Sequence, residues 1–404
     1  MPFVIFVAPL LSDNAFRMID AVASLPDVAL GVITQDEASK LRHLRERAAH
    51  WRVTNILDTQ QLVWAARELQ QRNGPIHRLF GAFEHLQEPL AVVRQWLGIE
   101  GISPEVATNF RDKARMKTLL RDAGLPCARH CLATSLAEAQ AFGERSGFPM
   151  VAKPPSGAGA VSTYRVESMD QLLRALAPNP PSPTHPVLLE EFVVGDEHSF
   201  ETVTINGQHV WHSLTHYYPT PLAVIENPWI QWAVVLPREV DEPQYDDIRT
   251  AARRALDVLG MTTGISHMEW FRRHDGTLAI SEVAARPPGA QITTLMSKAN
   301  DFDVLKEWAR AMIFGQFQVP ERRFAVGAAF LRGQGQGRIV KVRGVEEVQR
   351  TVGNLVVDFR MPEVGATPST SYEGDGYIMV RHPDTRRVEE AVMKIISTIR
   401  VELG

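Results

Sequence analysis

Residues 265–292, ISHMEWFRRHDGTLAISEVAARPPGAQI, constrain the fold of this chain more than any other stretch. Two segments of alternating polarity flank an Asp-Gly pair, a pattern that is typical of a β-hairpin. Successive side chains of a strand point to opposite faces, so Glu269 and Glu282 face the same side of this hairpin if its register sets them opposite each other. Two neighbouring carboxylates repel each other unless a cation lies between them, and a hard divalent ion such as Mg²⁺ prefers oxygen ligands.

Arg286 follows Glu282 by four residues and precedes a stiff Pro-Pro-Gly turn. Its guanidinium would lie beside the predicted metal, where it is suited to a forked contact with phosphate or carboxylate. Taken alone, however, the pattern fits equally well with an exposed hairpin that carries solvated glutamates.

Length and charge limit the classes of protein that this chain can belong to. With 404 residues it exceeds what one core usually supports, so we expect two or three domains. A net charge of −4 with interspersed acids and bases argues against a nucleic-acid partner, and no apolar run is long enough to span a membrane.

The apolar N-terminus lacks a basic segment and a cleavage site, so we expect a buried first strand and a cytoplasmic protein. The two cysteines, Cys127 and Cys131, are interpreted as reduced structural thiols.

Residues 1–105 alternate apolar strands with helical patterns, which predicts a small parallel sheet with helices on both faces. The sequence after the first strand, APLLSDNAF, contains no glycine. This absence argues against a nicotinamide or flavin cofactor in this domain.

Two lysines stand where an anion could bind. Lys113 lies near the start of a basic amphipathic helix, where it opposes the helix dipole, and an anionic ligand would explain its position. Lys153 ends the strand PMVAKP and precedes PSGAGAVST, whose Ser156, Gly157 and Gly159 would let backbone N–H groups approach phosphate oxygens. A solvated surface lysine and an ordinary turn are the alternatives.

The segment VLLEEFVVGDE contains Glu190, Glu191, Val193 and Glu197. A hydrophobic strand of this kind can hold an adenine through backbone hydrogen bonds and a ribose through a carboxylate, or it can form a plain hairpin with solvated acids. The aromatic-rich residues 209–236 that follow could form a lid or a wall of a substrate pocket.

Residues 321–404 contain several strand patterns and a final helix, which predicts a separate antiparallel unit. The loop RGQGQGR within it carries Arg332 and Arg338, either of which could reach a substrate anion.

In their order along the chain, these pieces resemble the ATP-grasp superfamily, and within it the carboxylate–amine ligases of the amino-acid ligase type. The resemblance implies a mixed α/β and α+β protein. A pre-ATP-grasp parallel α/β domain would span residues 1–105. A two-lobed ATP-grasp domain would span residues 106–320, with its lid lobe at about 125–192. A small C-terminal α+β domain would span residues 321–404.

Residue roles also follow from the resemblance. ATP would contact Lys113, Lys153, the loop residues Ser156, Gly157 and Gly159, the strand residues Glu190, Glu191 and Val193, and Glu197. Glu269 and Glu282 would hold Mg²⁺, or Mn²⁺ in its place, and Arg286 would stabilise the transferred phosphoryl group. Members of the family often carry an asparagine two residues after the second glutamate, and here that position is Ala284.

The implied activity is ATP-dependent joining of a small-molecule carboxylate to a small-molecule amine through an acylphosphate, with release of ADP and phosphate. The resemblance also allows a homodimer, without a nucleic-acid or membrane partner. Two alternatives stay open: another ATP-grasp reaction, such as formyl transfer or carboxylation, and a nucleotide-binding regulatory protein that has lost catalysis, which Ala284 favours.

Overall fold

The computed structural model of the protein describes residues 1–44, 47–156, 163–227 and 230–404. Its first unit is a parallel sheet in the order β3-β2-β1-β4. The strands are β1 (Phe3–Val7), β2 (Ala29–Thr34), β3 (Ala48–Arg52) and β4 (Ile76–Phe80), and the helices are α1 (Asp13–Ala23), α2 (Thr59–Asn73) and α3 (Gln87–Leu97).

Strand β1 shows why this unit has helices on both faces. All five of its residues are buried, and their side chains alternate between two cores. Phe3, Ile5 and Val7 pack in the core that α2 and α3 cover, whereas Val4 and Phe6 belong to the core that contains α1. The predicted parallel α/β unit is therefore confirmed.

Two helices connect this unit to the next, α4 (Pro104–Arg111) and α5 (Lys113–Asp122). Asp112 separates them and caps α5, since its side chain accepts hydrogen bonds from the N–H groups of Ala114 and Arg115. The predicted lysine near the start of a helix, Lys113, is the first residue of α5.

A second sheet, in the order β5-β8-β6-β7, lies within the range predicted for the lid lobe. Its strands are β5 (His130–Ala133), β6 (Met150–Lys153), β7 (Tyr164–Val166) and β8 (Val187–Glu191), and its helices are α6 (Leu136–Ser146) and α7 (Met169–Leu176). A small core of its own supports this lobe.

The largest sheet runs in the order β13-β12-β9-β10-β11-β14-β18-β17 and is antiparallel. Its strands are β9 (Gly195–Ile205), β10 (Gln208–Tyr218), β11 (Trp232–Leu236), β12 (Gly264–Arg273), β13 (Leu278–Ala284), β14 (Ala325–Leu331), β17 (Val356–Arg360) and β18 (Gly376–His382). Helices α8 (Pro221–Glu226), α9 (Asp246–Leu259), α10 (Ile292–Asn300) and α11 (Val304–Phe314) belong to the same part of the chain.

The C-terminal residues do not form the separate antiparallel unit that the sequence predicts. Strand β14 pairs with all five residues of β11 and joins β18 and β17 to the central sheet. A side-chain pattern identifies a strand but not its neighbour, because pairing is made by backbone groups. A smaller sheet completes the C-terminal part with β15 (Gly333–Gln334), β16 (Ile339–Arg343) and β19 (Arg400–Leu403), next to α12 (Val345–Val352) and α13 (Thr385–Thr398).

The central sheet has two chemically different faces. Strands β9 and β12 turn Glu197, Glu201, His267 and Glu269 to one side, which we call the site face. Their alternate residues pack with α9 in an apolar core on the other side, the rear face. Among the described residues, no helix is long and apolar enough to cross a membrane.

Candidate active site

The hairpin of β12 and β13 places two carboxylates opposite each other. Glu269 pairs directly with Glu282 in the antiparallel register, and Gly276 at the turn has a left-handed φ of 82°. The condition that the sequence left open, a register that sets the two glutamates opposite each other, is therefore met, and both side chains lie on the lining of one cavity.

Glu282 is held by Lys113. The Lys113 Nζ lies 2.6 Å from Glu282 Oε1, and the Lys113 backbone N–H donates to Pro155 O at 2.9 Å. Burial would raise the pKa of the Glu282 carboxyl, but Lys113 and Lys153 outweigh it and the pKa is lowered. The lysine that opposes the dipole of α5 therefore has a carboxylate to pair with, and its backbone connects α5 to the start of the Gly/Ser loop.

Glu190 lies between two buried lysines. Its carboxylate is 3.0 Å from Lys153 Nζ and 3.4 Å from Lys117 Nζ, and Lys117 also donates to Ser281 O at 2.7 Å. Burial would raise the pKa of Glu190 and would lower that of Lys153, but the attraction between the opposite charges outweighs burial in both groups. The Glu190 pKa is lowered and the Lys153 pKa is raised, so both groups are held in their charged forms.

Sequence reasoning missed Lys117, the most buried of these three lysines. Its side chain is 0% exposed, and burial lowers its pKa although Glu190 opposes that effect. A signal was available, because Lys117 follows Lys113 by four residues and therefore lies on the same face of α5. A buried lysine with two oxygen partners rigidly joins α5, the lid-lobe strand β8 and the hairpin strand β13.

A histidine stands between carboxylates on the site face. His267 Nδ1 lies 2.8 Å from Glu201 Oε1, and His267 Nε2 lies 3.7 Å from Glu269 Oε1. Burial alone would lower the pKa of His267, but hydrogen bonding to Glu201 and Glu269 raises it to about 9. Glu201, which is fully buried and also accepts from Ser199 Oγ at 2.6 Å, was not found from the sequence.

Glu197 occupies the same face as this histidine. It pairs with Phe271 across β9 and β12 and is buried. Burial, followed by the nearby Glu269 charge, raises its pKa well above the ordinary value. Its predicted contact with a ribose remains a prediction.

The structure narrows the place where an adenine could pair with the backbone. Strand β8 is bonded to β5 and β6 as far as Glu190 and Glu191, and the Phe192 N–H donates to Pro149 O at 3.2 Å. The side chain of Glu191 is bound by Arg129 and Arg273, at 2.6 and 2.9 Å. Within the predicted stretch, only the backbone of Val193 and the following residue continues beyond this ladder. An adenine would therefore pair there.

Arg286 is held by the first domain. Its Nε lies 2.5 Å from Glu84 Oε2, and its NH1 donates to Pro287 O at 2.9 Å. Burial would lower the pKa of Arg286, but Glu84 outweighs it and the pKa is raised. Glu84 opens the 3₁₀ turn Glu84–Leu86 after β4, and Arg111 NH1 lies 3.8 Å from its other oxygen. No local pattern of the sequence indicates this contact, which joins residues 202 positions apart.

A cavity of about 570 Å³ brings the predicted residues together. Of the candidates, it is lined by Lys113, Lys153, Glu190, Glu191, Val193, Glu197, Glu269, Glu282 and Arg286. Ser156 is exposed and lies outside this lining, whereas Gly157 and Gly159 lie outside the described residues. The residue roles stay predictions, but nine of the candidates share one cavity.

The donor set of this cavity suits a metal that arrives with its substrate. The described residues contain no group of three or more His, Cys, Asp and Glu side chains placed to hold a metal ion. Mg²⁺ is usually bound by one or two carboxylates, with phosphates and water supplying the rest. The pair of Glu269 and Glu282 fits that requirement, and Ala284, which pairs with His267, supplies no further ligand.

The two arginines proposed to reach a substrate anion both donate to backbone carbonyl groups. Arg332 is 5% exposed, and its NH1 donates to Val224 O at 2.8 Å and Ile230 O at 2.9 Å. Arg338 NH1 donates to Gly365 O at 2.8 Å. The sequence prediction is corrected for Arg332, because carbonyl groups of another segment occupy its buried guanidinium. For the exposed Arg338 it stays a prediction, and neither arginine is among the residues that line the cavity.

Comparison with known proteins was made against families, curated proteins and solved structures. A family model described as the ATP-grasp domain matches residues 118–302. The L-arginine-specific L-amino acid ligase of Bacillus subtilis is 26% identical over 304 residues, which covers 72% of this chain and 71% of that protein.

Solved structures share the fold along the whole chain. The L-amino acid ligase from Bacillus licheniformis superposes with a TM-score of 0.79 at 18% identity and covers 100% of this chain and 99% of its own. The N5-carboxyaminoimidazole ribonucleotide synthetase from Thermotoga maritima superposes with a TM-score of 0.70 at 17% identity over 100% of both chains. At these identities the likeness concerns the fold.

Proposed function

Because an ATP-grasp domain spans residues 118–302, we propose that the chain is an ATP-dependent carboxylate–amine ligase that forms an amide or peptide bond. The observation that carries the proposal is the single cavity in which Lys113, Lys153, the Glu269–Glu282 pair and Arg286 meet. Such a set of cations and carboxylates suits phosphoryl transfer, where catalysis consists mainly of positioning and charge neutralisation.

The proposed reaction has two steps. A carboxylate oxygen of the acid substrate attacks the γ-phosphorus of ATP, the bond to the β-phosphate oxygen breaks, and ADP leaves. The amine then attacks the carbonyl carbon of the acylphosphate, phosphate leaves with the bonding electron pair, and the nitrogen loses a proton. The sum is acid plus amine plus ATP, giving amide, ADP and phosphate.

In this scheme each charged group has a task. Lys113 and Lys153 neutralise phosphate oxygens, and Arg286 stabilises the transferred phosphoryl group and the acylphosphate. Glu269 and Glu282 would hold Mg²⁺ or Mn²⁺, which supplies charge neutralisation on the phosphates when bound. Lys117 and Glu190 position Lys153, since both are buried and paired with each other.

The names of the similar proteins suggest the substrate class. The Bacillus subtilis relative is a ligase for L-amino acids, and we propose an amino acid as the acid substrate here. A cytoplasmic location and a homodimer remain predictions of the sequence.

A carboxylation reaction is the second candidate, and the fold shared with the Thermotoga maritima synthetase favours it. The two candidates differ in what stimulates ATP cleavage. An amino acid should stimulate the ligase, whereas bicarbonate should stimulate a carboxylating enzyme.

The test measures ADP release from MgATP by the purified protein with a panel of amino acids or with bicarbonate. Hydroxylamine is added as a general amine, because it converts an acylphosphate into a hydroxamate whatever the natural amine is. We expect ADP and hydroxamate in equal amounts that depend on the amino acid. ADP release with bicarbonate alone would support the second candidate. Tight MgATP binding without any turnover would instead support a regulatory protein.

A further inference from the structure

Part of the lining of the cavity that holds the charged residues consists of uncharged side chains grouped around Trp232. The described residues that line this part, which we call the uncharged end, include Tyr217, Thr220, Leu222, Trp232, Ile292 and Tyr372. The side-chain polar groups among these six are the hydroxyls of Tyr217, Thr220 and Tyr372 and the indole N–H of Trp232. The same cavity is also lined by the lysines and glutamates of the candidate site.

The wall of the uncharged end is built from a fixed aromatic cluster. The ring of Trp232 lies edge-on to those of Tyr217 and Tyr372, with centroids 5.6 and 4.9 Å apart, and stacks on Phe330 at 4.9 Å. The indole N–H of Trp232 donates to Pro219 O at 3.0 Å, so its polar atom is satisfied. Large rings in such contacts present rigid apolar surface to a ligand.

The segment that closes this end is also anchored. Leu222 belongs to α8, and the carbonyl groups of Val224 and Ile230 accept hydrogen bonds from the buried Arg332. These carbonyl groups explain why an arginine is buried here, although no carboxylate among the described residues lies at hydrogen-bond distance from it. The wall is therefore part of the folded structure rather than a surface loop.

The uncharged end adjoins the reacting groups. Tyr217 lies on the site face of β10, which pairs with β9, the strand that carries Glu201, and it lies close enough to Glu269 for that charge to act on its hydroxyl. Tyr372 lies close enough to Glu269 and Arg286 for both charges to act on its hydroxyl, whose pKa burial raises to about 12. An acid substrate whose carboxylate binds at Arg286 would thus have its side chain within reach of this wall.

We propose that the uncharged end binds the side chain of the acid substrate and selects an aliphatic or aromatic side chain over a charged one. The inference rests on the proposed function. A guanidinium or ammonium group buried here would lose its hydration without a free carboxylate to replace it. Glu282 is paired with Lys113 and Glu201 with His267. In the proposed function, Glu269 holds the metal and Glu197 binds the ribose. Glu373, the nearest other acid in sequence to Tyr372, is not among the residues that line the cavity.

The experiment compares leucine, methionine and phenylalanine with arginine, lysine and glutamate as acids, at saturating MgATP and with hydroxylamine as the amine. We expect kcat/KM for hydroxamate formation to be higher for the first group by at least about 10²-fold. Similar values for arginine and leucine would overturn the inference while leaving the ligase function in place. ADP release without hydroxamate from any acid would overturn the proposed function itself.

A matched pair of variants tests the wall directly. Leu222→Asp places a carboxylate in the uncharged end. Leu222→Asn introduces a side chain of the same shape as aspartate but without its charge. The Asp variant should shift the arginine-to-leucine ratio of kcat/KM toward arginine by about tenfold or more relative to the Asn variant, because only it supplies a partner charge. Leu57→Asp, at an exposed position of the first domain, should leave the ratio unchanged. Equal ratios in the Asp and Asn variants would place the side chain of the acid elsewhere.

Discussion

The histidines on the two faces of the central sheet differ in charge, since one face holds a protonated ring and the other holds neutral rings. On the site face, His267 lies between Glu201 and Glu269, and its pKa is raised to about 9. On the rear face, burial lowers the pKa of His198 to about 3 and that of His216 to about 4. The three rings stand on neighbouring strands of one sheet, so the difference comes from their partners rather than from their place in the fold.

The hydrogen bonds of His216 agree with a neutral ring. The hydroxyl of Tyr218 donates to Glu389 at 3.2 Å, so it can accept from His216 Nδ1, while the Tyr245 hydroxyl, 3.1 Å from Nε2, can donate to the ring. Neutral partners satisfy a neutral imidazole, whereas carboxylates stabilise an imidazolium. The site face is built to hold charge, and the rear face is built to pack.

The largest expected effect is on the site face, at Glu282. Replacing Glu282 by alanine should abolish ATP turnover with every acid, because the phosphoryl-transfer step loses a metal ligand and Lys113 loses its partner. Glu389→Ala removes a carboxylate from the rear-face network and should keep a rate close to the parental one. Steady-state ADP release measures both, with circular dichroism as the check on folding. Parental turnover in the Glu282 variant would remove the metal assignment.

A smaller loss is expected at Arg286. Arg286→Lys keeps the charge but loses the planar fork, so kcat should fall by about 10²-fold while ATP affinity changes little. Single-turnover kinetics and equilibrium binding of ATP on the same variant separate the two quantities. A large loss of affinity at normal kcat would mean that Arg286 binds ground-state nucleotide only.

Glu84→Gln provides the companion to that measurement. Glutamine keeps the size of the side chain but removes the charge that holds Arg286, and kcat should fall by roughly tenfold, as for other groups that orient a reacting side chain. If Glu84 acts through Arg286, the double variant should lose less than the sum of the two single losses. Fully additive losses would mean that the two residues act separately.

The smallest effect concerns the rear face and stability. In the unfolded chain His198 and His216 have pKa values near the ordinary 6.5, and in the fold these are lowered to about 3 and about 4. Unfolding below pH 6.5 therefore takes up protons that the folded protein excludes. The stability from the neutral rings is complete above pH 6.5 and is lost as the pH falls toward 4. The loss approaches about 1.4 kcal/mol per pH unit for each histidine.

Urea unfolding at pH 7.5, 6.5 and 5.5 measures this slope. His216→Phe should flatten it relative to the parental protein, even if the variant is less stable at every pH because it loses the contact with Tyr245. Parallel slopes for the two proteins would show that His216 is already protonated in the fold.

Local patterns of the sequence were sufficient for several parts of this structure. The alternation along residues 1–105 predicted the parallel sheet, and the polarity of β12 and β13 predicted the hairpin that carries Glu269 and Glu282. The lysines Lys113 and Lys153 were found because each stands at the end of a regular element. Periodicity and element ends are properties of a short segment, so they can be read without knowledge of the rest of the chain.

Only the tertiary structure decided which groups meet. Glu84 and Arg286 are 202 residues apart in the chain, and Lys117 reaches a carbonyl group 164 residues away. The strand β14 joins the central sheet, and the uncharged end is formed by residues from several separate elements. Such contacts depend on how whole elements pack. A lysine or a glutamate can equally well lie in solvent, so the residue type alone does not show whether packing buries it. The sequence by itself therefore determined the elements and the kinds of charge that they carry, and the packing determined their partners and the charge state of each buried histidine.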